Sequence, residues 1–195
     1  MTLYRYVVAL DRGFAPNPFW GYCTLATCKP QIRLHAEPGD WVAGMGSSRK
    51  VGQGKLVFAL RVSEKLYFEQ YNADPRFANK KPPLNGPPIQ LSGDNIYYKS
   101  PDRRWKRRRS LFYRHAKMGR DLKGKYVLIA KEFYYFGADA QKIPSRYIDL
   151  IPHGRGHRNR SDPNLVDRFV GWLQTISRPG VHGSPWEWPG RRQNA

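Results

Sequence analysis

Residues 39–72 read GDWVAGMGSSRKVGQGKLVFALRVSEKLYFEQYN, and the order of elements in this stretch decides the fold class. A Pro-Gly-Asp turn at residues 38–40 leads into a short strand, residues 41–45. Residues 47–54 form a loop of glycine, serine and basic residues. Residues 55–64, KLVFALRVSE, hold the strongest strand signal in the chain, a short apolar run with β-branched and aromatic members. Residues 66–72 read as a short helix. It closes before Pro75, because the residue preceding a proline disfavours the α region.

Working outward, residues 3–10 carry the β-branched and aromatic residues of a first strand. Residues 79–88 form a proline-rich surface loop. Residues 126–136, with YVLIA and then EFYYF, give one long or two broken strands, and residues 147–151 a last strand. Residues 163–177 read as a helix, with Asp162 as its cap and Pro163 in its first turn. Leu165, Phe169, Val170, Leu173 and Ile176 fall on one face of it. From Arg178 onward Pro179, Gly180, Pro185 and Pro189 break any periodicity. The expectation is an α+β domain over residues 1–178 with an irregular tail, residues 179–195. It would be built on a small, mostly antiparallel β-barrel with inserted helices and a C-terminal helix. Propensity alone does not separate a barrel from a sandwich.

Charge narrows the function. Lys and Arg total 34 against 15 Asp and Glu, a formal net charge of +19. Such an excess favours a polyanion, because each neutralised phosphate releases condensed counterions. The densest run is Arg103, Arg104, Trp105, Lys106, Arg107, Arg108 and Arg109, extended by Arg114, His115, Lys117, Arg120, Lys123 and Lys125. Arginine grips phosphate with a planar fork of donors, and Trp105 adds a stacking face. A second cluster, residues 153–160, lies before the last helix. No run approaches the roughly 18 apolar residues of a membrane span. The N-terminus lacks the basic and apolar regions of a secretion signal. We therefore expect a soluble cytoplasmic protein without membrane contact, and Cys23 and Cys28 as reduced thiols.

The runs DRGFAPNPFWGYCTLATCKPQIR, GDWVAGMGS, FALRVSEKLYFEQYNADPRF, GDNIYY and EFYYFG resemble the nucleotide modification associated domain family, second type. The resemblance extends from about Tyr4 to about Pro144. It implies work in systems that make or handle modified bases in nucleic acid, DNA ahead of RNA, beside partner enzymes. More distantly, the order of elements around residues 39–72 is similar to the PUA-like barrels, including EVE and ASCH domains. Those hold RNA or a modified base in a pocket.

Residues 13–46 supply candidate pocket chemistry. They are aromatic and stiffened by proline, where a passive linker would be flexible and polar. The expected base pocket is built from Phe14, Asn17, Trp20, Tyr22, Trp41, Asn95, Tyr97 and Tyr134. Its rings would stack on a base and its amides would read the edge. Lys29, Arg103, Arg104, Lys106, Arg107, Arg108 and Arg109 would hold phosphates. The alternative is an enzyme using the same pocket with Asp11, Asp94, Glu132 or His115 as acid or base. Zinc-deaminase signatures are absent from the sequence. In residues 47–55, SSRKVGQGK, Arg49 stands where a P-loop needs glycine, and Leu56 where it needs Ser or Thr. Cys23, Cys28 and His35, or His153 and His157, offer zinc-like donors, but the pairs lie far apart in sequence. We expect no metal and no cofactor.

Overall fold

The computed structural model describes residues 1–115, 117–151, 157–160 and 163–188. Its largest unit is a seven-stranded sheet. The first strand, β1 (Leu3–Val8), runs parallel to β3 (Trp41–Gly46). A parallel pair needs a crossover, and here the crossover is the aromatic stretch itself. It carries β2 (Cys23–Leu25) and α1 (Pro30–His35). Next in the sheet comes β4 (Lys55–Arg61), antiparallel to β3. The expected strand at residues 55–64 thus stops at Arg61. Beyond a turn at Val62 and Ser63 the chain enters β5 (Glu64–Tyr67) and then α2 (Phe68–Ala73). The helix expected from Leu66 therefore starts two residues later than its apolar pattern indicated.

The insertion continues with a 3₁₀ turn (Pro75–Lys80), α3 (Pro88–Leu91), and a hairpin of β6 (Tyr97–Lys99) and β7 (Trp105–Arg107). After α4 (Met118–Leu122), β8 (Tyr126–Ala130) completes a second sheet in the order β2-β8-β5. Residues 126–136 resolve into two strands, with β9 (Phe133–Tyr135) returning to the main sheet beside β4. Then β10 (Gln141–Lys142) pairs with β4, and β11 (His157–Arg160) lies antiparallel to β1. Next follow α5 (Pro163–Ile176) and β12 (Gly180–Val181), the latter parallel to β9.

Side-chain alternation builds the layers. On one face of the main sheet, Leu3, Trp41, Ala43, Met45 and Tyr134 pack against Leu165, Val166, Phe169 and Leu173 of α5. The expected stripe therefore forms, apart from Ile176, which is exposed. The other face, with Tyr4, Tyr6, Val42, Phe58 and Tyr135, meets Leu25, Leu128 and Ala130 of the second sheet. That sheet buries its far side, Val127 and Ile129, under Phe68, Tyr71, Phe77 and Tyr97 of the insertion. β8 is thus covered on both faces, which explains its unbroken apolar sequence.

The expected α+β class holds, but no closed barrel is found among the described residues. The sheets turn a shared corner, where Arg61 N–H donates to the Glu132 carbonyl at 2.9 Å and Ser63 N–H to that of Ile129 at 2.7 Å. Among the described residues, no strand of one sheet pairs with a strand of the other. A second correction concerns residues 147–151. The expected last strand is a 3₁₀ turn (Ser145–Leu150), with Tyr147 and Leu150 buried three apart and Ile148 exposed. Three-residue spacing is the 3₁₀ repeat, not the strand repeat. Asp162, residues 153–156 of the 153–160 cluster and residues 189–195 lie outside the described residues; for residues 157–160 only the strand is described.

Candidate nucleic-acid interface

The arginine run divides by register. In the β6–β7 hairpin Tyr97 faces Arg107, Tyr98 faces Lys106 and Lys99 faces Trp105. The tip turns through Arg103 at φ 61°, and Arg104 lies 3.4 Å from Asp102 at the surface. Trp105 is half-buried, edge-on to Phe68 at 6.0 Å with the Lys99 ammonium 5.1 Å from its centroid. Arg108 lies over the Tyr98 ring at 4.4 Å and donates to the Asn95 carbonyl at 3.3 Å. Burial lowers the pKa of its guanidinium, with Tyr98 opposing. Arg108 therefore braces the fold. Lys106, Arg107 and Arg109 are exposed. Arg107 donates through Nη1 to the carbonyls of Tyr113 and Arg114, both at 3.2 Å, and so folds the following loop back on the hairpin.

That loop frames two clefts. One, of about 290 Å³, is lined by Arg107, Arg109, Ser110, Leu111 and Arg114. The other, of about 640 Å³, is lined by Leu10, Arg12, Leu111, Phe112, Tyr113, Arg114, His115 and Glu187. They share Leu111 and Arg114 and so form one basic groove. The only carboxylate among its described lining residues, Glu187, is bound to Lys50 at 2.8 Å. Arg12 reaches across to the Phe112 carbonyl at 3.0 Å. Among the described residues, Arg12, Arg107, Arg109 and Arg114 enter no ion pair.

A buried polar network supports the wall. The Tyr113 ring lies 4.9 Å from that of Phe14. Asp121 Oδ2 accepts from the hydroxyls of Tyr97 at 2.8 Å and Tyr113 at 2.9 Å. Its Oδ1 accepts from Cys28 N–H at 3.0 Å. Burial raises the pKa of both phenols, and the Asp121 charge adds to it. Arg33, wholly buried, donates to the carbonyls of Cys28, Tyr126 and Asp121. Lys29, at the start of α1, stands with its ammonium 4.1 Å from the Tyr6 centroid and lines neither basic cleft.

The eight pocket candidates do not meet around one cavity. Phe14 packs on Tyr113 of the groove wall, and Tyr97 shares Asp121 Oδ2 with Tyr113. Trp41 and Tyr134 pack on each other at 6.4 Å under α5, with Phe169 against Trp41. Asn95 is buried and donates to the carbonyls of Tyr71 and Phe77. Tyr22 is half-buried, edge-on to Phe77 at 5.5 Å. Asn17 is buried beside Lys80. The Lys80 ammonium donates to Asn17 Oδ1 at 2.6 Å, to the Tyr22 carbonyl at 2.9 Å and to the Asn17 carbonyl at 3.1 Å. Burial pulls its pKa down to about 8, with Asp94 opposing. Trp20 is half-exposed and lines a separate cleft of about 420 Å³ with Ala78, Asn79, Lys81, Pro83 and Gln90. The sequence reading missed Arg12 and the Leu111-Phe112-Tyr113 wall. An apolar triplet one serine after an arginine run was the available signal.

The acid and base candidates are likewise scattered. Asp94 is interior, accepting from Tyr71 and Thr24 at 2.6 and 2.8 Å. Glu132 sits at the sheet corner, 3.4 Å from Arg61. His115 alone lines the groove. Asp11 is buried, accepting from the Tyr135 hydroxyl and from Gly13 N–H. Burial pushes its carboxyl from 3.8 up to about 6, against those hydrogen bonds. A raised folded pKa stabilises the fold fully below the unfolded value and loses that contribution as pH rises through about 6. Asp11→Asn keeps an acceptor and removes the charge. It is expected to raise unfolding free energy at pH 8 by up to about 3 kcal/mol and to change little at pH 4. Urea unfolding at the two pH values checks this; an equal effect at both would refute the charge argument.

Among the described residues, no group of three or more His, Cys, Asp or Glu is placed to hold a metal ion. No helix among them is long and apolar enough to cross a membrane. The family model described as nucleotide modification associated domain 2 matches residues 1–192. No curated protein and no solved structure matches the chain.

Proposed function

The chain belongs to the nucleotide modification associated domain 2 family, and from that premise we propose that it is the nucleic-acid-binding module of a base-modification system. The groove of Arg12, Arg107, Arg109 and Arg114 takes the phosphate backbone. Phe112 and Tyr113, on the same wall, offer apolar surface to a displaced or modified base. The observation that carries this reading is the basic groove itself. Four arginines without ion-pair partners among the described residues surround adjoining clefts of about 290 and 640 Å³. Like charges crowded this way destabilise a fold unless a polyanion neutralises them. The larger cleft has the volume of ordinary ligand sites, roughly 300–1,000 Å³.

Binding is favoured over catalysis by the scatter of Asp11, Asp94, Glu132 and His115. Acid–base catalysis needs such groups within hydrogen-bond reach of one reacting centre. The test is binding to matched duplexes and single strands, DNA and RNA, with and without modified bases, at two salt concentrations. We expect salt-sensitive binding to all of them and tighter binding where a modified base is present. Affinity that ignores salt would remove the reading.

A further inference from the structure

We infer that the cleft beside Trp20 is a second site, built to take one unstacked nucleotide. The inference rests on the nucleic-acid reading for its class of ligand, but its residues are separate from the groove. Trp20 has φ 60°, a left-handed backbone that a bulky residue rarely adopts. Such conformations persist where their surroundings over-determine them, and they gather at functional sites.

The surroundings here do so. Asn17 and Thr24 exchange backbone hydrogen bonds at 2.8 and 2.9 Å, which closes the base of the loop. The buried Lys80 ammonium holds the carbonyls of Asn17 and Tyr22 on either side of Trp20. Phe19 is stacked on Trp188 at 5.3 Å and meets Trp20 edge-on at 5.9 Å. The indole is thus fixed and only half-buried, like Tyr22, while Phe14, Phe19 and Trp41 of the same segment are buried.

The lining matches a nucleotide group by group. Trp20 supplies a face for the base. Asn79 and Gln90 are exposed, and their side-chain amides make no hydrogen bond to any described residue. A carboxamide presents a donor and an acceptor side by side, the pattern that pairs with a base edge. Lys81 supplies a cation for phosphate, and the lining has no carboxylate to repel one. A volume of about 420 Å³ suits a single nucleotide. Phe14, against the groove wall, is six residues before Trp20. The chain between them spans at most about 22 Å, so the segment that presents Trp20 also packs against the groove wall through Phe14.

The experiment is calorimetric titration of 5′-deoxynucleoside monophosphates into the full chain at low salt. The native protein should bind at least one of them. Trp20→Ala should weaken that binding by about tenfold or more. Asn79→Ala with Gln90→Ala, at exposed positions that leave folding intact, should weaken it about fivefold and change the preference among bases. The triple variant Arg107→Ala, Arg109→Ala, Arg114→Ala should retain it. Unaltered binding in the Asn79/Gln90 variant, or in folded Trp20→Ala, would overturn the inference. So would absent mononucleotide binding beside intact oligonucleotide binding, which leaves the groove reading standing. Mononucleotide binding without oligonucleotide binding would support this site and remove the groove.

Discussion

Alanine at Arg107, Arg109 and Arg114 together is expected to lower affinity for duplex DNA by about two to three decades near 0.1 M salt. Each phosphate contact contributes about 0.9 to the slope of log affinity against log salt, so three contacts flatten that slope by about 2.7. The loss should be the same for every sequence, because phosphates carry no base identity. All three side chains are exposed. Arg107 also ties the hairpin to the loop through the carbonyls of Tyr113 and Arg114. The double variant at Arg109 and Arg114 leaves that tie and should still flatten the slope by about 1.8. Arg108→Ala should act differently. Its guanidinium covers Tyr98, so the change should lower stability with little effect on the slope. An unchanged slope in the triple variant would move the phosphate-binding surface away from the groove, with residues 153–160 as the next candidate.

That division among neighbouring arginines marks where the sequence stops being legible. A run of like charge is visible in composition, but the role of each member depends on hairpin register and on what lies opposite. Tyr98 and Asn95 engage Arg108; among the described residues nothing of that kind engages Arg109. The strands were legible where burial is regular. β4 and β8 announce themselves as apolar runs, and the α5 stripe follows the helical repeat. The turn at residues 145–150 misled because its apolar residues, Tyr147, Ile148 and Leu150, make a run too short for periodicity to separate a strand from a 3₁₀ turn. β12 is only two residues long and owes its pairing to β9, some 45 positions earlier in the chain, so no local pattern marks it. The Trp20 cleft draws Asn79, Lys81 and Gln90 from a proline-rich segment with no periodicity. Only the fold brings that segment beside Trp20.

The second large effect concerns the residue beneath that cleft. Lys80→Met is expected to destabilise the protein by about 3–5 kcal/mol, the usual scale for removing one partner of a buried charged network. Methionine fills nearly the same volume, so the loss is not a cavity effect. It arises because the Lys80 ammonium donates to Asn17 Oδ1, the Asn17 carbonyl and the Tyr22 carbonyl, and among the described residues the Tyr22 carbonyl has no second donor. An orphaned acceptor costs about 1–3 kcal/mol when water cannot reach it, whereas the Asn17 carbonyl keeps Thr24 N–H at 2.9 Å and Asn17 Oδ1 keeps Phe19 N–H at 3.4 Å. Asp94, fully buried and attracted to Lys80, would lose its nearby positive charge as well. Urea unfolding monitored by circular dichroism measures the effect. The same variant separates the two binding surfaces. Mononucleotide affinity should fall with it, because the loop that presents Trp20 loses the clamp between Asn17 and Tyr22. The salt slope for oligonucleotides should hold in the folded fraction, because the groove is braced independently by Arg107, Arg12 and Asp121. A loss below about 1 kcal/mol would mean that the Tyr22 carbonyl finds another donor. In that case Lys80 would not be what fixes Trp20 in its left-handed turn.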